Sequence, residues 1–224
     1  MFISMPTAKK GDRRELTWTK ISGHGVLGSW DDDYVRSIRS AFLHEGQIYL
    51  TAFGSKEMGS AAIWRFDGSS WSRVFLAADH RLPFNRFGSV LQIGNQFIVG
   101  TGVAHEKGRA ALLVFEPSAD GLRYVGPIVP KEETADNIPC LLSIKGGVLF
   151  GLGSHFGRPR FPAYFQRDGG RVPLIFDDVA FSMPELQRGT YCMGRDQDAV
   201  YLGLCAKKPA SSGILRVPLS VFEN

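Results

Sequence analysis

A chain of 224 residues, 44% apolar and 21% charged, is long enough for one well-buried domain and too apolar for intrinsic disorder. Lysine and arginine exceed aspartate and glutamate by only 26 to 22, and the basic residues are scattered, so the net charge of +4 marks no nucleic-acid partner. Cys140, Cys192 and Cys205 lack the short paired spacings of zinc or redox motifs, and no apolar run reaches the length of a membrane span.

Those three cysteines read as free, buried thiols of a reducing compartment. Met1 to Arg14 has no apolar segment of secretory length, and the expected location is cytoplasmic, away from any membrane. Residues 1–14, with Lys9, Lys10, Arg13 and Arg14, read as a flexible solvated tail. Leu16 to Ile21 follows as a short β-strand.

From there one pattern occurs four times: an apolar run, a turn with Gly or Asp, and a second β-rich run that ends in Gly in all but the last copy. The copies are AFLHEGQIYLTAFG, SVLQIGNQFIVGTG, CLLSIKGGVLFGLG and CMGRDQDAVYLGLC, in which Ile48, Phe97, Val148 and Val200 correspond, a period of about fifty residues. Third strands follow in AAIWRFDG, ALLVFEP, AYFQRDGG and GILRVPL, and fourth strands in SSWSRVFL, LRYVGPIV and RVPLIFD. Turns at Glu45-Gly46, Gly94-Asn95, Gly146-Gly147, Asp67-Gly68, Asp120-Gly121 and Asp168-Gly169 suit hairpins.

Four strands per unit make a blade, so the expected fold is all-β, a single four-bladed β-propeller domain over residues 1–224. Its repeats run approximately over 36–84, 85–135, 136–187 and 188–224. The last unit stops after three strands, and residues 15–22 are expected to join it and close the ring. Through the strand ending in Gly, the Trp64-Arg-Phe-Asp-Gly68 turn and Trp71, the chain resembles the kelch-like and related β-propeller families. That resemblance implies a fold; propellers serve as scaffolds, lectins, hydrolases and lyases, so it implies no activity.

In a propeller the first strand of each blade lines the central channel. Ser40, Ser89, Cys140 and Cys192 align there as one column of small residues, expected to relieve crowding. At the channel mouth Arg36, Asn85, Asp136 and Arg188 share an aligned position, with Arg39 and Arg86 beside them. Guanidinium forks match carboxylate or phosphate, and Asn and Asp take hydroxyls. The expected function is therefore a non-catalytic binding module for a small anionic or sugar-like ligand, or for an acidic protein segment.

The alternative is a carbohydrate-active hydrolase or lyase, which needs loop carboxylates with assisting histidines; Asp31, Asp32, Asp33, Asp136, Asp177, His80, His105 and His155 are the candidates. No HExxH pair, phosphate loop, dinucleotide fingerprint or nucleophile elbow occurs, so neither a metal nor a cofactor is assigned. The expected state is a monomer or small homo-oligomer.

Overall fold

The computed structural model describes residues 2–6, 16–20, 37–53, 60–103, 108–128, 135–154, 162–167, 170–173, 189–205 and 212–223. Four antiparallel sheets follow one another along the chain. The first is β3 (Ser37–His44), β4 (Gln47–Phe53), β5 (Ala62–Phe66) and β6 (Trp71–Leu76); the second is β7 (Arg86–Ile93), β8 (Gln96–Gly102), β9 (Leu112–Ser118) and β10 (Gly121–Ile128). The third is β11 (Leu141–Ile144), β12 (Gly147–Gly151), β13 (Ala163–Arg167) and β14 (Gly170–Pro173); the fourth is β15 (Gly189–Arg195), β16 (Ala199–Cys205) and β17 (Gly213–Pro218). Each strand pairs with the next, and the four sequence repeats are the four sheets.

The first strands of successive sheets touch, β3 with β7, β7 with β11 and β11 with β15. Single bridges carry the contact onward, from Gly102 to Asn137, Asn137 to Gly153 and Gly153 to Gly189. Sheets arranged side by side about their first strands are the blades of a four-bladed β-propeller.

Turn chemistry is supplied locally. The Asp67 carboxylate accepts hydrogen bonds from the backbone N–H of Ser69 at 2.8 Å and of Ser70 at 2.9 Å, folding β5 back onto β6. Asp196 does the same between β15 and β16, accepting from the N–H groups of Asp198 and Ala199, each at 2.8 Å. These donors hold the Asp67 carboxyl well below the usual carboxylate range.

The start of the chain departs from expectation. Leu16–Lys20 (β2) pairs antiparallel with Phe2–Pro6 (β1), within the segment read as a tail, in register from Phe2 opposite Lys20 to Pro6 opposite Leu16. Among the described residues the fourth blade has three strands, and the strand expected to complete it is hydrogen-bonded to β1 instead. Pairing with a strand close in sequence carries a smaller closure entropy than pairing with one at the far end of the chain.

The core lies between blades. In β8, Phe97 and Val99 face the first blade while Ile98 faces the third, and in β9 Leu113 and Phe115 oppose Leu112 in the same way. A sheet held between two neighbours is apolar on both faces, which is why these strands read as continuous apolar runs. Between the first two blades the Phe75 ring lies 4.9 Å from Phe115 and 5.4 Å from Tyr124. Between the last two, Phe165 meets Phe222 at 5.4 Å, and Arg167 donates to the Phe222 carbonyl, fastening the C-terminal turn. Among the described residues no helix is long and apolar enough to cross a membrane.

Candidate functional site at the channel mouth

Three of the four channel-lining strands break their register at one level. In β3 the shift falls between Ile38 and Ser40, in β7 between Phe87 and Val90, and in β15 between Thr190 and Cys192. In the third blade Asn137 to Cys140 precede β11 and stay outside its ladder, with Pro139 unable to donate to it. A bulge re-aims the residue it releases. The released residues are Arg39, Gly88, Ser89 and Tyr191, and with Phe53, Arg86, Phe87, Asn137 and Pro139 they line a cleft of about 340 Å³. Each blade contributes to it.

Positive charge gathers on one side of this cleft. The Arg39 guanidinium carbon lies 5.5 Å from the Phe53 ring centre and that of Arg86 lies 5.7 Å from the same ring, both within the reach of cation–π attraction. Arg86 donates from Nη2 to the Val103 carbonyl at 2.8 Å and from Nε to Asn85 Oδ1 at 3.4 Å. Burial pulls its pKa down from the usual arginine value; Asp136 and Tyr191 oppose that shift, and Arg39 adds to it as a like charge. Arg39 forms no ion pair with a described residue.

Two glycines make room for these side chains. A Cβ on Gly102 would stand 2.6 Å from both Cγ and Cδ of Arg86, and one on Gly153 would stand 3.0 Å from the Tyr191 ring. The glycines that end the second and third repeats are therefore floors under cleft residues. Behind Arg86 lies Asp136, 2% exposed, whose Oδ2 accepts from Ser154 Oγ at 2.8 Å. The Tyr191 hydroxyl is pushed up chiefly by burial, with Asn137 pulling the other way and Asp136 adding to the rise. Ser89 Oγ, also buried, has no hydrogen-bond partner among the described residues.

No family model matches the chain, and no curated protein matches it. Among solved structures it is similar to the GH43_1 enzyme from Xanthomonas citri complexed with xylose, at 12% identity and a TM-score of 0.41, covering 77% of this chain and 68% of that one. It is also similar to a second crystal structure of the GH43_1 enzyme from Xanthomonas citri, at 10% identity and a TM-score of 0.41, covering 83% and 76%. At these scores the likeness carries no argument about activity or substrate. The fold stands on the four sheets and their contacts.

Of the residues singled out from sequence, Arg39 and Arg86 line the cleft, Asn85 orients Arg86, and Asp136 is buried beside it. His80 lies in the short 3₁₀ turn Ala77–His80, stacked on Phe75 at 4.7 Å, and does not line the cleft. Arg36, Arg188, Asp31, Asp32, Asp33, Asp177, His105 and His155 lie outside the described residues. Among those described, no three His, Cys, Asp or Glu side chains converge as metal ligands. Sequence reasoning missed Phe53, Asn137 and Tyr191. The signal was present, because Arg39, Gly88, Pro139 and Tyr191 form the aligned column immediately before Ser40, Ser89, Cys140 and Cys192.

None of the three cysteines forms a disulfide, but only Cys140 is buried; Cys192 is exposed and Cys205 is half-buried, which corrects the expectation of three buried thiols. Cys192 is exposed on a first strand, at the channel, whereas Cys140 packs beneath the Thr190 carbonyl. Burial first, and the neighbouring Cys192 second, push the Cys140 thiol up to about 12, against the opposing N–H of Gly151. At pH 8 an alkylating reagent is expected to label Cys192 in the folded protein and Cys140 only after unfolding, as read by mass spectrometry of the labelled peptides. Because the folded pKa is the higher one, this thiol's contribution to stability is complete below about pH 9 and declines as pH rises toward 12. Tyr49, Tyr124 and Tyr191 are shifted in the same direction, so the melting temperature is expected to fall steadily above pH 9.

Proposed function

We propose that this protein is a binding module whose channel-mouth cleft holds a small anionic, hydroxyl-bearing ligand. The observation that supports this reading is the pair of guanidinium groups set over one aromatic ring, Arg39 among them without an ionic partner in the described structure. Bringing two like charges together is unfavourable unless an anion joins them, and a guanidinium fork binds an oxyanion with direction as well as charge. Buried Asp136 supports a second reading, a carbohydrate-active hydrolase or lyase, whose other carboxylate would come from the neighbouring loops.

A thermal-shift screen of carboxylates, sugars, sugar acids and nucleotides tests the binding reading. A ligand at about one hundred times its Kd stabilises the native state by about 2.7 kcal/mol, which raises the melting temperature of a chain this size by about 5–10 °C. The expected result is such a shift from an anionic compound in the native protein and little or none in Arg39→Ala. Product formation from the same compound, lost in Asp136→Asn while binding persists, would favour the second reading.

A further inference from the structure

Within the binding reading, on which this inference rests, the charge and hydroxyl pattern of the cleft narrows the ligand. Among the described residues the ionic groups that line the cleft are Arg39 and Arg86; behind them the buried Asp136, next in the chain to Asn137 and joined to Arg86 through Val103, reduces their charge to an excess of one. A carboxylate would balance that excess. A phosphate, at about −1.5 to −2 near neutral pH, would leave negative charge uncompensated in a partly desolvated site. Arg86 already gives donors to Val103 and Asn85, whereas Arg39 forms no ion pair with a described residue, so Arg39 presents the fork that an incoming oxyanion would meet.

The remaining polar side chains that line the cleft, Ser89, Asn137 and Tyr191, are uncharged in the neutral range. Ser89 Oγ is buried without a partner, a costly state for a hydroxyl that a ligand hydroxyl would relieve, and the Asn137 side chain carries both a donor and an acceptor. The cleft volume of about 340 Å³ sits at the small end of ligand sites, the size of a single sugar ring with a few waters. We infer that the cleft takes a monocarboxylate sugar acid of one ring, its carboxylate on Arg39 and Arg86 and its ring hydroxyls on Ser89 and Asn137.

Titration calorimetry with D-glucuronate, D-glucose and glucose 6-phosphate tests this, on the native protein, Arg39→Gln and Ser89→Ala. The expected result is saturable glucuronate binding at least tenfold tighter than glucose and glucose 6-phosphate. It should weaken tenfold or more in Arg39→Gln and several-fold in Ser89→Ala, with unchanged melting curves in the ligand-free variants. Glucose 6-phosphate binding as tightly as glucuronate, but still lost in Arg39→Gln, would overturn the carboxylate inference and leave the anion site standing. Glucose binding as tightly as glucuronate would overturn the inference as well. Binding of none of the three, or binding indifferent to Arg39→Gln, would overturn both the inference and the reading beneath it.

Discussion

Replacing Phe75 with alanine is expected to destabilise the protein by about 3–5 kcal/mol, a large part of the stability of an ordinary domain. Phe75 is 4% exposed, and its ring lies within 6 Å of four others, those of His80, Phe87, Phe115 and Tyr124. These come from the inter-blade turn and three strands of the second blade, so the residue joins two blades rather than filling one. The cavity left behind cannot collapse without moving one sheet against the next, which places the expected value toward the upper end. Urea unfolding should show the midpoint falling with little change in slope, and the melting temperature should drop by roughly 10 °C. Ile214→Ala is the control: at 77% exposure on β17 it should change stability by less than about 0.5 kcal/mol. Equal effects from the two would mean that the inter-blade aromatic cluster does not hold the ring together.

Arg86→Met is expected to remove anion binding and to lower stability at once, because Arg86 serves both purposes. Its guanidinium satisfies the Val103 carbonyl and lies in the field of the buried Asp136 carboxylate. Leaving that carbonyl without its donor costs about 1–3 kcal/mol, and losing a charge-assisted hydrogen bond to the ligand weakens affinity by about ten- to a hundredfold. Gly102→Ala separates the two effects. It keeps the charge but puts a methyl group where the Arg86 stem now lies, 2.6 Å from Cγ and Cδ, so the side chain must move. Affinity should fall by about tenfold while the positive charge remains, as measured by titration of the two variants against the same ligand. Undiminished binding in Gly102→Ala would show that charge alone, and not the placement of the fork, matters at this cleft.

The period of about fifty residues made the blades readable, because each unit repeats the same sequence of apolar runs and hairpin turns. The column Ser40, Ser89, Cys140 and Cys192 likewise indicated which strands face the channel, since only small residues tolerate that crowding, and the neighbouring contacts of β3, β7, β11 and β15 agree. Arg39 and Arg86 were found through position and charge together. Tyr191 was not, although it stands in the aligned column before Cys192, because what aims it at the cleft is a slip in strand register, which depends on hydrogen bonds between strands; Asn137 was not, because it precedes β11 and stays outside its ladder. Phe53 was missed for a related reason: at the end of β4 it reads as one more core aromatic, and its partnership with two arginines arises only when two blades meet. The pairing of Leu16–Lys20 with Phe2–Pro6 was hidden because a short polar strand fits several edges equally well, and the nearest one prevailed.

Hydrogen exchange with and without saturating D-glucuronate addresses the shared cleft most directly, because its lining comes from all four blades. Ligand in the cleft is expected to slow exchange together in the segments around Arg39, Gly88 and Ser89, Asn137 and Tyr191, leaving the outer strands β6 and β10 unchanged. Protection confined to one blade, or appearing only on outer strands, would contradict a binding site built where the four inner strands meet.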